Sequence, residues 1–172
     1  DGAFASLTSK PTTIAGYGIT DNTWALLGDK AGANGPQSIA LGNGAGGTLD
    51  GTIAQESAGV AIGLMAGRTD QKNNSVAIGT SAGNNTQGQD SVAIGEVAGT
   101  TTQGESSVAI GSAAGTITQG SEAIAIGKEA GAGTQGQQAV AIGSYAGGSI
   151  QGITAVAVGM QSGEFYQGGG AV

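Results

Sequence analysis

From residue 59 onward, short apolar runs and polar punctuation alternate with a fixed period. The unit is S-V-A-I-G, two residues, A-G, three residues, Q-G, two residues. It is complete at Ser75–Asp90 and returns at Ser91–Ser106, Ser107–Glu122, Ala123–Gln138, Ala139–Thr154 and Ala155–Gly170, with a looser copy at Gly59–Asn74. The Gly that closes V-A-I-G falls at 63, 79, 95, 111, 127, 143 and 159, always 16 residues apart. A strict period of this length denotes a stacked repeat, one coil per copy. Sixteen residues are too few for a helix pair, and β-branched V-A-I broken by Gly every few positions disfavours helix. The pattern predicts an all-β fold, a parallel β-roll or solenoid with two short strands and two turns per coil. Coils spaced by about 4.8 Å give seven copies a length of roughly 34 Å.

Alternation within V-A-I assigns faces. Val76 and Ile78 share one face and Ala77 takes the other. The large Val/Ile columns (60/62, 76/78, 92/94, 108/110, 124/126, 140/142 and 156/158) are expected to fill the coil interior. The opposite column is Ala in every copy: Ala61, Ala77, Ala93, Ala109, Ala125, Ala141 and Ala157. A solvent-facing column varies, as the position after Gly does (Thr80, Glu96, Ser112, Lys128), so this Ala face is expected to be a trimer interface around an axis. The Gln column (71, 87, 103, 119, 135, 151, 167) is expected to form an amide ladder, with a Thr column (86, 102, 118, 134) beside it.

The ends depart from the repeat. Residues 1–37 read as a cap or shoulder: Pro11 holds Lys10 extended, Gly16 and Gly18 flank Tyr17, and Trp24 lies in the largest local apolar cluster. A ligand site around Trp24 is the alternative reading of that cluster. The roll is assigned to residues 38–170, with regular coils over 59–170 and residues 171–172 as the exit of a fragment. The step from Gly42 to Gly63 exceeds the period by five residues, which places a loop at Asp50–Gln55, either a tolerated insertion or a contact loop. In the last coil Val158 replaces Ile, Ser162 replaces Ala, and Phe165-Tyr166 replace small polar residues, with Tyr145 one coil back. These aromatics read as a lid over the open core or as an exposed platform for sugar rings, and Tyr145, Phe165 and Tyr166 are the receptor-contact candidates.

Composition narrows the chemistry. The 172 residues include 36 Gly but only two Phe, one Trp and three Tyr, and no Cys or His. Disulfides, thiol nucleophiles, Cys/His zinc sites and a His-based triad are excluded. Twelve acids against five bases give a net charge of −7, so no basic nucleic-acid surface exists. No apolar run approaches the roughly 18 residues of a membrane span, and membrane insertion is not expected. The many G-x-x-x-G matches are products of the repeat and open no helix, so they predict no phosphate loop. Asp90, Glu105 and Glu122 stand in no apolar setting that would raise a carboxyl pKa for glycosidase work. No catalytic residue, cofactor or metal site is expected, and the chain is read as a non-enzyme.

Two stretches resemble known families. L-T-S-K-P-T-T-I-A-G-Y-G-I-T-D at residues 7–21 resembles a segment of tail-fibre proteins of tailed bacteriophages. S-V-A-I-G-x-x-A-G, over roughly residues 38–170, resembles the S-V-A-I-G-x-x-S repeat of trimeric autotransporter adhesin heads, here with a period of 16 instead of the commoner 14. The resemblances imply an intertwined homotrimeric, left-handed parallel β-roll. They imply a structural and adhesive segment of a virion tail fibre that meets a host-cell surface glycan or outer-membrane protein. The alternative is the head of a bacterial trimeric adhesin at the cell surface. A third reading, from the Thr column, is an ice-binding solenoid, which Ile150 and Tyr166 interrupt.

Overall fold

The computed structural model describes residues 37–47 and 55–172. The N-terminal cap reading and the Asp50–Gln55 loop lie, apart from Gln37 and Gln55, outside the described residues. Two parallel sheets form the stack, and isolated parallel bridges from Gln55 to Gln71 and from Gln71 to Gln87 continue the second into the earlier coils. One has eight strands: β1 (Ile39–Leu41), β2 (Val60–Ile62), β3 (Val76–Ile78), β5 (Val92–Ile94), β7 (Val108–Ile110), β9 (Ile124–Ile126), β11 (Val140–Ile142) and β13 (Val156–Val158), neighbours in that order. The other has six: β4 (Thr86–Gln87), β6 (Thr102–Gln103), β8 (Thr118–Gln119), β10 (Thr134–Gln135), β12 (Ile150–Gln151) and β14 (Tyr166–Gln167). Registry is strict: Val76 pairs with Val92, Ala77 with Ala93, and Gln87 with Gln103. The protein is thus a parallel β-solenoid of about seven 16-residue coils, as the period predicts.

The faces are the reverse of the sequence expectation. Every Ala of the V-A-I column, from Ala61 to Ala157, is fully buried inside its own coil, together with Ala66, Ala82, Ala98, Ala114, Ala130 and Ala146 of the A-G column. Ala61, Ala77, Ala93, Ala109, Ala125, Ala141 and Ala157 therefore cannot be trimer contacts. The flanking Val and Ile side chains point outward and are half-buried or exposed in every strand. The physical reason is the width of the roll. Gln87 sits in the six-stranded sheet, yet its side-chain amide donates to the Val76 carbonyl of the other sheet, 2.7 Å away. The sheets are one glutamine apart, so the V-A-I and A-G columns have room only for methyl groups.

Glycine makes this closeness possible at two corners. A Cβ on Gly79 (φ +125°) would stand 2.6 Å from the carbonyl oxygen of Gly95 in the next coil. A Cβ on Gly83 (φ +54°) would meet the Gln87 amide oxygen at 2.6 Å. Each coil also carries non-glycine residues in the left-handed region, such as Ser81 (φ 56°), Asp90 (φ 56°) and Val97 (φ 51°), where the chain turns from one face to the next.

Candidate functional site: the outer faces of the roll

The internal glutamines hold the two faces apart. Gln103, Gln119, Gln135, Gln151 and Gln167 repeat the bond of Gln87, each donating to the first carbonyl of its V-A-I strand at 2.7 Å. Gln119 also donates to the Ala123 carbonyl at 3.2 Å. The expected amide ladder closes only at the C-terminal end, where Gln135 donates to Gln151 and Gln151 to Gln167, both at 3.1 Å. In earlier coils the amide hydrogens serve backbone carbonyls alone, two of them at Gln71, Gln103 and Gln119, and the side-chain oxygens from Gln55 to Gln135 have no hydrogen-bond partner. In the first coils Ser75, Ser91 and Ser107 complete the interior, each hydroxyl donating to a carbonyl three residues back at 2.6–2.7 Å.

The outer face of the eight-stranded sheet is an aliphatic stripe. Two side chains from each strand stand on it, from Ile39 and Leu41 to Val156 and Val158. Exposure rises along the later coils, from 36% at Ile126 to 61% at Val158. The stripe crosses seven coil boundaries without a charge, a contiguous apolar surface of a kind that marks interaction sites on soluble proteins. Sequence reasoning missed it because it put these side chains inside.

The opposite face is polar for most of its length. Thr86, Thr102, Thr118 and Thr134 point outward while each following Gln points in. This column ends in Ile150 and Tyr166, register partners on β12 and β14. Phe165 and Tyr166 are each 76% exposed, so they do not form a lid over the core; they project sideways from the last coil. Tyr145 is apart from them, on a turn, with the Lys128 ammonium 5.4 Å from its ring centre. The receptor-contact candidates thus do not form one cluster: Phe165 and Tyr166 are adjacent, and Tyr145 holds its own cation.

Charges sit on corners. Glu105 and Glu122 line one shallow groove with Ser106, Ser121 and Gln137. Amides flank the acids of one column, and Ser106 stands between them: Asn74 donates to Asp90 at 2.9 Å and Gln138 to Glu122 at 3.0 Å. Lys72 joins Asp70 at 2.7 Å and Glu56 of the preceding coil at 3.2 Å, and these bonds, Asp70 first, raise its pKa above the ordinary lysine value. Among the described residues no group of three or more His, Cys, Asp or Glu side chains could hold a metal ion, and no helix is long and apolar enough to cross a membrane.

Fold and surface together define a parallel β-roll repeat protein with a buried methyl core and an aliphatic outer face. Three stretches, residues 27–45, 87–114 and 119–146, match the family model of the YadA head domain repeat. No curated protein and no solved structure matches the chain. The coils are similar to YadA head repeats, and the matched residues 87–114 and 119–146 include strands of both sheets.

Proposed function

We propose that this chain is a rod-forming, adhesive segment of a homotrimeric surface fibre, of the kind found in heads of trimeric autotransporter adhesins. The observation that carries the reading is the aliphatic stripe. Full burial of a Val or Ile is worth about 1.5–3 kcal/mol, and these side chains are only partly covered in a single chain. Covering the rest on sister subunits offers on the order of 10 kcal/mol per chain before the cost of association. The resemblance of S-V-A-I-G-x-x-A-G to trimeric adhesin heads, and the match to the YadA head repeat, support three copies as the occupant. The role is mechanical and adhesive, not enzymatic. The roll displays Tyr145, Phe165 and Tyr166 away from the shared face, where they are available to a cell-surface glycan or protein.

Light scattering tests the assembly. The expected mass is three times 16.3 kDa. The Ile94→Glu, Ile110→Glu double variant should be monomeric with an unchanged β spectrum. A wild-type monomer at micromolar concentration overturns the reading.

A second reading keeps the trimer and changes its owner. The segment at residues 7–21 resembles phage tail fibres and favours a virion appendage that recognises a host surface. Immunogold labelling separates the two: label on the bacterial envelope supports the adhesin, and label on phage tails supports the fibre.

A further inference from the structure

We infer that the outer face of the six-stranded sheet binds an uncharged saccharide, seated between Ile117 and Phe165 and against Tyr166. This deepens the adhesive reading and rests on it for one point, that the exposed aromatics meet a receptor. The Thr column turns apolar at Ile150 and Tyr166, register partners that are 49% and 76% exposed. Position in the stack does not cause the exposure: Thr102 and Thr118 of the same column are exposed in mid-stack, and Ile117, in the column of Phe165, is 54% exposed. Ile117 and Phe165 lie three coils apart, about 14 Å at strand spacing. The two coils between them carry Ala132-Gly133 and Gly148-Ser149 where their neighbours carry Thr116-Ile117 and Glu164-Phe165. Packing requires glycine at 133, where a Cβ would run into the Ser149 carbonyl. It does not require glycine at 148. That backbone is not in the left-handed region, and the nearest atom to a Cβ there, the Tyr145 carbonyl oxygen, would be 3.2 Å away. The equivalent Thr116 uses its hydroxyl to bond the equivalent carbonyl, that of Ala113, at 2.6 Å. The chain forgoes that bond at 148 and leaves a gap floored by backbone.

The gap suits a sugar ring. Phe165 offers an aromatic face to the C–H groups of a pyranose, and Ile117 closes the other end. The stem of Glu164 lines the gap, its Cγ 3.7 Å from the place of a Cβ on Gly148, and among the described residues its carboxylate makes no ion pair. A carboxylate accepts strong bonds from neighbouring sugar hydroxyls, and the exposed hydroxyls of Ser149 and Thr134 stand beside it. Charge decides against an acidic glycan. No Lys or Arg follows Lys128, which stands on another corner over the Tyr145 ring, and Glu164 is the only charged side chain of residues 130–172. Size decides against a protein. The exposed parts of Ile150, Phe165 and Tyr166 offer on the order of a few hundred Å², below the roughly 800 Å² per partner of a standard protein interface.

Saturation-transfer NMR on the 172-residue chain tests this, with lactose, maltose, cellobiose, di-N-acetylchitobiose and the acidic sialyllactose, each at about 10 mM. At least one neutral disaccharide should receive saturation and shift the Gly148, Ser149 and Phe165 amides. The Gly148→Thr, Ser149→Ile double variant copies Thr116-Ile117 and fills the gap. It should keep the wild-type melting midpoint and mass and bind at least tenfold more weakly. Phe165→Ser should weaken binding by a similar factor; if the double variant loses its fold, this exposed position decides the matter. Three results overturn the inference: no neutral disaccharide binds, sialyllactose alone binds, or binding is unchanged in the folded double variant or in Phe165→Ser. Light scattering keeps the two readings apart. A trimer that binds none of these sugars overturns the site and leaves the assembly standing, and a monomer that binds one overturns the assembly and leaves the site standing.

Discussion

Gln151 donates its side-chain amide to the side-chain oxygen of Gln167, 3.1 Å away, while both amides also bond backbone carbonyls of the opposite sheet. One residue type thus ties coil to coil and sheet to sheet. In the middle of the stack Gln119 has the second role alone, bonding the Val108 and Ala123 carbonyls from a buried position. Gln119→Leu removes both donated bonds and sets a branched side chain against Gly115, where the glutamine oxygen now lies 2.8 Å from the place of a Cβ. The expected cost is about 1–3 kcal/mol, read as a lower midpoint in urea with an unchanged slope.

Gln119→Glu should make stability depend on pH. An ionised carboxylate would face two carbonyl oxygens with nothing to accept, whereas the protonated acid can still donate one bond. Burial and this lack of donors raise the carboxyl pKa in the folded state above the ordinary value of about 4.3. The folded state then holds the proton more tightly than the unfolded chain. The variant should be closest to wild type below about pH 4 and lose stability as pH rises through the raised value. Melting midpoints of variant and wild type, compared at about pH 4 and pH 7.5, give the sign; a gap that narrows with rising pH would refute it.

Ala109 and Ile110 are neighbours with opposite fates. Ala109 is fully buried, and its methyl lies 3.3 Å from the place of a Cβ on Gly115, so no larger side chain fits. Ala109→Leu should therefore damage the single chain, at a cost of at least about 1–3 kcal/mol, with a midpoint that falls at any protein concentration. Ile110→Glu, on the outer face, should leave the coil folded and weaken self-association. Far-UV circular dichroism and light scattering on both variants separate the effects. An Ala109→Leu chain that stays folded but monomeric would restore the alanines to the shared surface.

The period, the strand positions and the parallel stacking were legible in the sequence, because Gly63 to Gly159 and Gln71 to Gln167 keep one spacing and V-A-I can do little but extend. The faces were inverted. The expectation ranked side chains by size and put Val76 and Ile78 inside, which holds for a core several side chains thick. Here the core is one glutamine thick, and its signature was the column that never changes: alanine is constant while its neighbours interchange as Val, Ile and Leu at Leu41, Ile124 and Val158. Exact size matters only where there is no room. The aromatic lid failed for a related reason, since Tyr166 falls on the outward-facing column of Thr86 and Thr134, with Phe165 beside it and equally exposed, while Gln167 takes the inward position.

Val97 is a β-branched residue held at φ 51° in a turn that its counterparts fill with Ser81, Ala113 and Glu129 at φ 56–57°. An L-residue in this region loses roughly 1–2 kcal/mol to contact between its Cβ and the backbone, and asparagine and glycine suffer least. Val97 gains little in return, being only half-buried. Its carbonyl accepts the Thr100 hydroxyl at 2.6 Å, a bond any residue at 97 can keep. Val97→Asn should therefore stabilise the roll by about 1 kcal/mol, whereas Val92→Asn, in a strand with ordinary backbone angles, should not. Chemical denaturation of the two variants decides it: a Val97→Asn chain no more stable than wild type would mean that the turn relaxes around valine and stores no strain.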